Sequence, residues 1–220
     1  MEDLKMTEEI ALRLLCQDIK DKKDFLKPEN KWILHSIYVG IAAKRISEHL
    51  GIDSEYATSL GYIHDIGRRI NHNNHPIEGY KYLKDLGYKK EAKICLTHSF
   101  IENDINITAG GGPKDPISYN YIYTFLRSTF SDIYDNIIQL CDLFCLETGF
   151  TTIEKRLLDI SNRKGIYDNS YNHFQETLKL KKKIENLMNS SLYELFPEIK
   201  KEDLDLEEEN AKILTHILKK

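Results

Sequence analysis

Apolar residues recur along this chain every three or four positions, the period of helices that each bury one face. Residues 2–20 carry the pattern first, and Lys27-Pro-Glu-Asn-Lys31 breaks it. It returns in WILHSIYVGIAAKRISEHL, where Ile33, Ile37, Ile41 and Leu50 keep helical spacing and Gly51 marks the stop. Asp53 or Ser54 can cap the next helix, SEYATSLGYIHD, which is expected to end near Gly67. A further helix, PIEGYKYLKDL, has Pro76 at its start and Gly87 after its end, the usual punctuation. KKEAKICLTHSF follows directly.

Periodicity lapses from Ile101 to Ser118, a segment that holds Gly110-Gly-Gly112, Pro113 and Pro116. Loops of that length in a compact domain are usually functional or mobile, so this one is read as a candidate lid. Beyond it NYIYTFLRS, DIYDNIIQLCDLFCLETG, TIEKRLLDISNRKG and YNHFQETLKLKKKIENLMNSSLYELF are all helical by period. No segment reads as a strand with partners. The expectation is an all-α protein, with an N-terminal helix packed on the core over 1–27, a core domain over 28–150 and a C-terminal helical extension over 151–220.

Composition changes this picture only at the margins. The chain has 220 residues, 41% of them hydrophobic, enough to bury a core without disulfide staples. Lys and Arg number 31 against 35 Asp and Glu, a formal charge of -4, so there is no global basic field that would concentrate nucleic acid. The expected partner is a small phosphorylated substrate, not an extended nucleic-acid surface, and the oligomeric state is left open. Cys16, Cys95, Cys141 and Cys145 lie in apolar helical patterns without a C-x-x-C pair and read as buried reduced thiols. The start MEDLKMTEEIALRLL is acidic and amphipathic, unlike a signal peptide. No run approaches the roughly 18 apolar residues that span a bilayer. A cytoplasmic protein without a membrane partner is expected.

Four polar groups break the pattern by lying on inward stripes. His35 has Trp32 three residues before it, and Tyr38 and Val39 three and four after; His64 follows Leu60 by four; His98 follows Ile94 by four. Asp142 lies between Ile138 and Cys145, where an ionised carboxylate is costly unless paired, hydrogen-bonded or bound to a metal. Brought together, such groups form a nitrogen and oxygen site that suits Mn, Fe, Co, Ni, Zn or Mg. The adjacent pair His64-Asp65 is informative, because successive helical side chains diverge by about 100 degrees. Both reach one ion only near a frayed helix end, which Gly67 permits.

With His35, the doublet His64-Asp65 within HDIG, and Asp142 within QLCDLF, in the order H, HD, D, the sequence resembles the HD superfamily of metal-dependent phosphohydrolases over roughly residues 30–150. The resemblance implies an HD-domain helical bundle over 28–150 with a divalent metal at its centre. Dinuclear members, including HD-type diadenosine tetraphosphate hydrolases and HD-GYP cyclic-dinucleotide phosphodiesterases, add two histidines between the doublet and the last aspartate. His75 and His98 resemble those two. If they are ligands, Asp65 bridges two ions, with His35, His64 and Asp142 on one and His75 and His98 on the other. Only nine residues separate Asp65 from His75, fewer than in those members, so one or two ions per chain both stay open.

The implied reaction is hydrolysis of a phosphate ester or anhydride of a nucleotide or similar small metabolite by a metal-activated water. Asp65 and Arg68 are the expected catalytic residues. Arg68 resembles the basic residue that follows HD-x-x in many members, and is expected to hold a substrate phosphate by a forked contact. Arg69 is expected to be solvated, and His72 to stay outside the site as a loop histidine. A noncatalytic nucleotide- or protein-binding module on the same fold is the alternative, with a mixed-valence iron oxygenase a more distant one. GGGPKDP lacks the ending of a phosphate-cradling loop, and the basic face of TLKLKKKIENL reads as a solvated surface.

Overall fold

The computed structural model describes residues 4–199, so the end of the expected C-terminal extension lies outside the described residues. The described chain is all-α but for one small hairpin. In order the helices are α1 (Glu8–Cys16), α2 (Lys31–Leu50), α3 (Ser54–Ile63), α4 (His75–Asp85), α5 (Lys89–Thr97), α6 (Pro116–Ser128), α7 (Ile133–Asp142), α8 (Ile153–Lys164) and α9 (Ser170–Met188). Their starts follow from short polar side chains that satisfy otherwise unpaired first-turn N–H groups. Thr7 accepts from the Ile10 N–H, Asp53 from Tyr56, Asp115 from Ser118, Asp132 from Tyr134 and Asp135, and Thr152 from Lys155. Among the described residues no helix is long and apolar enough to cross a membrane.

Three local expectations are corrected. The first helix is shorter than residues 2–20, because the Asp24 carboxylate takes the Lys20 and Asp21 N–H groups at 2.8 and 3.1 Å and turns the chain away. The helix through QLCDLFCLETG stops at Asp142; β1 (Cys145–Leu146) then pairs antiparallel with β2 (Gly149–Phe150). Apolar residues in so short a run satisfy the helical and the extended period equally, so the pattern could not reveal the hairpin. The last long helix ends at Met188, where Asn189 takes a left-handed conformation (φ 52°), and Leu192–Leu195 forms a separate 3-10 turn.

One apolar cluster runs from Leu15 of α1 through α2, α3, α5 and α7 to Ile184 of α9, so both ends of the described chain share the central core. The tightest approach within it is between α2 and α3. A Cβ on Gly61 would lie 2.5 Å from the Gly40 Cα, so these two helices meet backbone to backbone. A smaller cluster of Ile77, Leu96, Phe100, Ile105, Ile122 and Leu126 pins the start of the 101–118 segment and α6 onto α4 and α5.

The helix contact yields a stability prediction. Gly61→Val inserts three carbons where backbone already stands, and overpacking of this kind costs about 1–3 kcal/mol. Urea unfolding should therefore show an earlier midpoint, and a wild-type midpoint would mean that α2 and α3 separate freely.

Candidate metal centre

The helix contact between Gly40 and Gly61 brings His35, near the start of α2, to His64, just past the end of α3. Their rings meet edge to face with centroids 5.4 Å apart. The α3 helix ends at Ile63, and His64-Asp65 occupies the turn that leads into a 3-10 segment at Ile66–Arg69. The glycine of HDIG does more than end a helix. A Cβ on Gly67 would fall 2.1 Å from the His75 carbonyl oxygen and 2.4 Å from the Gly79 nitrogen. Its absence lets the 3-10 segment press on α4, which is how His75 reaches Asp65 across so short a connection. His98 follows α5, and its ring lies 5.0 Å from that of His64 and 5.5 Å from that of His75.

Each of the four imidazoles is oriented by main-chain oxygen. Nδ1 of His35 bonds the Cys145 carbonyl at 3.1 Å, that of His64 the Gly61 carbonyl at 2.7 Å, and that of His75 the His72 carbonyl at 3.1 Å. Nδ1 of His98 is 3.1 Å from the carbonyls of both Ile94 and Cys95. A carbonyl only accepts, so each Nδ1 carries a proton and donates to it, and each ring turns its Nε2 inward. Those Nε2 atoms face carboxylates. His35 Nε2 is 2.9 Å from Asp142 Oδ1, and His75 and His98 Nε2 are 3.1 and 3.6 Å from Asp65 Oδ1. His64 Nε2 lies 3.7 Å from Asp65 Oδ2.

His35 Nε2 is within hydrogen-bond distance of Asp142, and His98 Nε2 lies 2.8 Å from the Ser99 hydroxyl. His64 Nε2, His75 Nε2 and Asp65 Oδ1 are buried with no hydrogen-bond partner, and a buried unpaired polar group costs about 1–3 kcal/mol. A cation among them would satisfy all three, and neutral nitrogen with carboxylate oxygen is a donor set that fits a divalent ion. Burial pushes the His64 imidazole down to about 4 against the pull of Asp65. Burial alone would raise the Asp65 carboxyl, yet Arg68, His75 and His64 together hold it well below the usual carboxylate range. Asp142, whose side chain is 28% exposed, is held low in the same way by His35 and His64.

All six expected ligands are thus brought together. His35, His64 and Asp142 each offer one atom within 4.8 Å of the others, as do His64, Asp65 and His98. His64 belongs to both groups, and His75 joins through Asp65 Oδ1. His64 therefore shares with Asp65 the place between the two expected sets. Arg68 does not point a free fork at a substrate: its Nε donates to Asp65 Oδ2 and its Nη1 lies 3.0 Å from His72 Nε2. His72, expected outside the site, joins it through both its ring and its carbonyl. Arg69 is 10% exposed and pairs with Asp18 at 3.0 Å, so it is a packing residue and not a solvated one.

A cavity of about 940 Å³ opens beside the centre, lined by His75, His98 and Asp142 on one side and by part of the 101–118 segment on another. Arg156, Arg163 and Lys164 of α8 and His173 of α9 also line it, residues that sequence reasoning missed. His173 is 2% exposed, sits 3.0 Å from the Tyr167 hydroxyl, and is pushed down to about 4 by burial and by Lys164. The cysteines are free thiols, and burial pushes those of Cys95, Cys141 and Cys145 upward.

Residues 32–144 match the family model of the HD domain. The chain belongs to the HD domain family. HD proteins form a superfamily of, in general, metal-dependent phosphohydrolases, and all six converging residues fall within the matched segment of this HD protein, while α8 and α9 fall beyond it. The chain is also similar to Ribonuclease Y of Rhodopirellula baltica, 33% identical over 95 residues, which are 43% of this chain and 16% of that protein. The HD chain therefore covers only a small part of the length of that relative. No solved structure gives a significant match.

The depressed His173 sets a pH dependence. In the unfolded chain this imidazole takes a proton near 6.5, whereas in the fold it stays neutral down to about 4. Its contribution is flat above about 6.5, and stability is lost progressively as pH falls from there toward about 4, by up to about 3 kcal/mol. In metal-chelated protein, His173→Gln should flatten that part of a plot of urea midpoint against pH. An unchanged slope would clear His173 of the effect.

Proposed function

We propose that this HD protein is a divalent-metal-dependent phosphohydrolase that cleaves a phosphate ester or anhydride of a nucleotide or similar small metabolite. The observation that carries the reading is the set of inward Nε2 atoms placed against carboxylate oxygens, three of these atoms buried without a partner. Hydrogen bonds within the protein leave those three atoms unsatisfied, and a shared cation would satisfy them. His35, His64, Asp65 and Asp142 would hold one ion, and Asp65, His75 and His98 would hold a second.

An ion so held acidifies a water and neutralises charge on phosphoryl oxygens. The remaining work falls to side chains. Asp65 is kept ionised by Arg68 and the imidazoles around it, so it is ready to ligate without losing a proton. Arg68 has two of its three nitrogens engaged, by Asp65 and His72, which leaves Nη2 to donate to a phosphoryl oxygen. This makes it a single donor of fixed orientation in place of a mobile fork. The main-chain carbonyls hold the imidazoles, so little reorganisation is needed on binding. Ribonuclease Y acts on RNA by name; here a small substrate is favoured, because the chain carries a net charge of -4 and the basic residues near the centre lie within a bounded cavity.

Assay of a phosphate-ester panel with Mn²⁺, Fe²⁺, Co²⁺ or Ni²⁺ tests the proposal. Asp65→Ala should lower kcat/KM by more than about a hundredfold, beyond the loss typical of removing an outer partner of a metal ligand. Full activity in that variant would sink the reading.

A further inference from the structure

The lining of the cavity is basic although the chain as a whole is acidic. Arg68, Lys114, Arg156, Arg163 and Lys164 contribute to it against two carboxylates, Asp115 and Asp142. Asp142 already faces His35, so it is not free to neutralise this basic set. On α8, positions 156 and 163 are two turns apart and share one face, and 164 adjoins them. One carboxylate serves both arginines: Asp159 pairs with Arg156 at 3.0 Å and with Arg163 at 2.7 Å. Arg156 is 17% exposed, and its Nε is buried without a hydrogen-bond partner. Lys164 donates to the Ala109 carbonyl at 3.1 Å, and among the described residues no carboxylate makes an ion pair with it. Burial and the neighbouring Arg68 and Arg163 push its ammonium group down. The arginines also reach an adjoining cavity of about 680 Å³ lined by His35, Asp65 and Asp142. The buried Arg156 Nε is a donor that an anion would complete, and the exposed Arg163 and Lys164 add positive charge beside it.

We propose that Arg156, Arg163 and Lys164 form an anion clamp for a second phosphate group of the substrate, so that the substrate class is a small molecule with two or more phosphates. The clamp rests on the phosphohydrolase reading only for the reaction; the binding itself stands apart from it. Guanidinium groups match phosphate oxygens in pairs, and a lysine adds a point charge beside them. The scissile phosphate lies at the metal centre and the second on α8, outside the matched HD segment. The α8 helix thus selects the substrate, while the HD domain carries the chemistry.

The test uses the full chain in EDTA, with inorganic tripolyphosphate and orthophosphate as probes in titration calorimetry. Wild type should bind tripolyphosphate at least tenfold more tightly than orthophosphate. The double variant Arg163→Met with Lys164→Met, both at exposed positions, should lose at least tenfold in tripolyphosphate affinity, and Arg163→Lys with Lys164→Arg should recover most of it. Circular dichroism melts report whether each variant is folded, and Arg163→Met alone substitutes if the double variant is not. Equal affinity for the two probes, or variant affinity equal to wild type, overturns the clamp. If the variants weaken tripolyphosphate binding but no phosphate ester turns over with any metal, the clamp stands and the hydrolase reading falls. If a monophosphate is hydrolysed while tripolyphosphate binding ignores the variants, the hydrolase reading stands and the clamp falls.

Discussion

The centre of this protein depends on a single kind of bond, the one from an imidazole Nδ1–H to a main-chain carbonyl. Made four times, it decides which nitrogen of each histidine turns inward and where that nitrogen points. Without it each ring could take either tautomer, and the inward nitrogens would have no common direction. With it, four imidazole nitrogens and two carboxylates face one another in a buried space, a state that is costly until a cation enters. The fold therefore holds an electrostatic tension in its middle that a bound cation would relieve.

Helix ends supply two of these carbonyls, while the hairpin and the loop before α4 supply the others. An α-helix leaves its last four carbonyls without an internal partner, and Gly61 near the end of α3 and Cys95 near the end of α5 offer such carbonyls. His64, His75, His98 and Asp142 themselves lie at or next to helix ends. The close packing at Gly40, Gly61, Gly67 and Gly79 then brings those ends to one place. Helix length and helix crossing, more than any loop, set the geometry of the site.

Much of this was legible in the sequence because a helix converts position into direction. His35, His98 and Asp142 stood out as polar groups at inward phases, and the doublet His64-Asp65 gained meaning at the end of a periodic stretch. The hairpin after Asp142 was not legible, since two-residue strands are shorter than any period. That mattered, because the hairpin carries the carbonyl that orients His35. Arg156, Arg163 and Lys164 were missed for a different reason: a charged helix face that lines an open cavity has the same pattern as one turned wholly to water. His72 was set aside by its Asn-rich surroundings, which describe its exposure and say nothing of its carbonyl.

The carbonyl anchors have an evolutionary consequence. An oxygen that belongs to the peptide unit survives every amino-acid replacement at Cys145, Gly61, His72, Ile94 or Cys95, so long as the backbone keeps its course. Side-chain scanning would pass over these acceptors, and drift in the sequence cannot delete them one at a time. The same permanence removes a means of adjustment, because the basicity of these imidazoles cannot be tuned by exchanging a hydrogen-bonding side chain. Variation among descendants of this chain would have to enter through the cavity walls, leaving the centre chemically conservative while its substrates diverge.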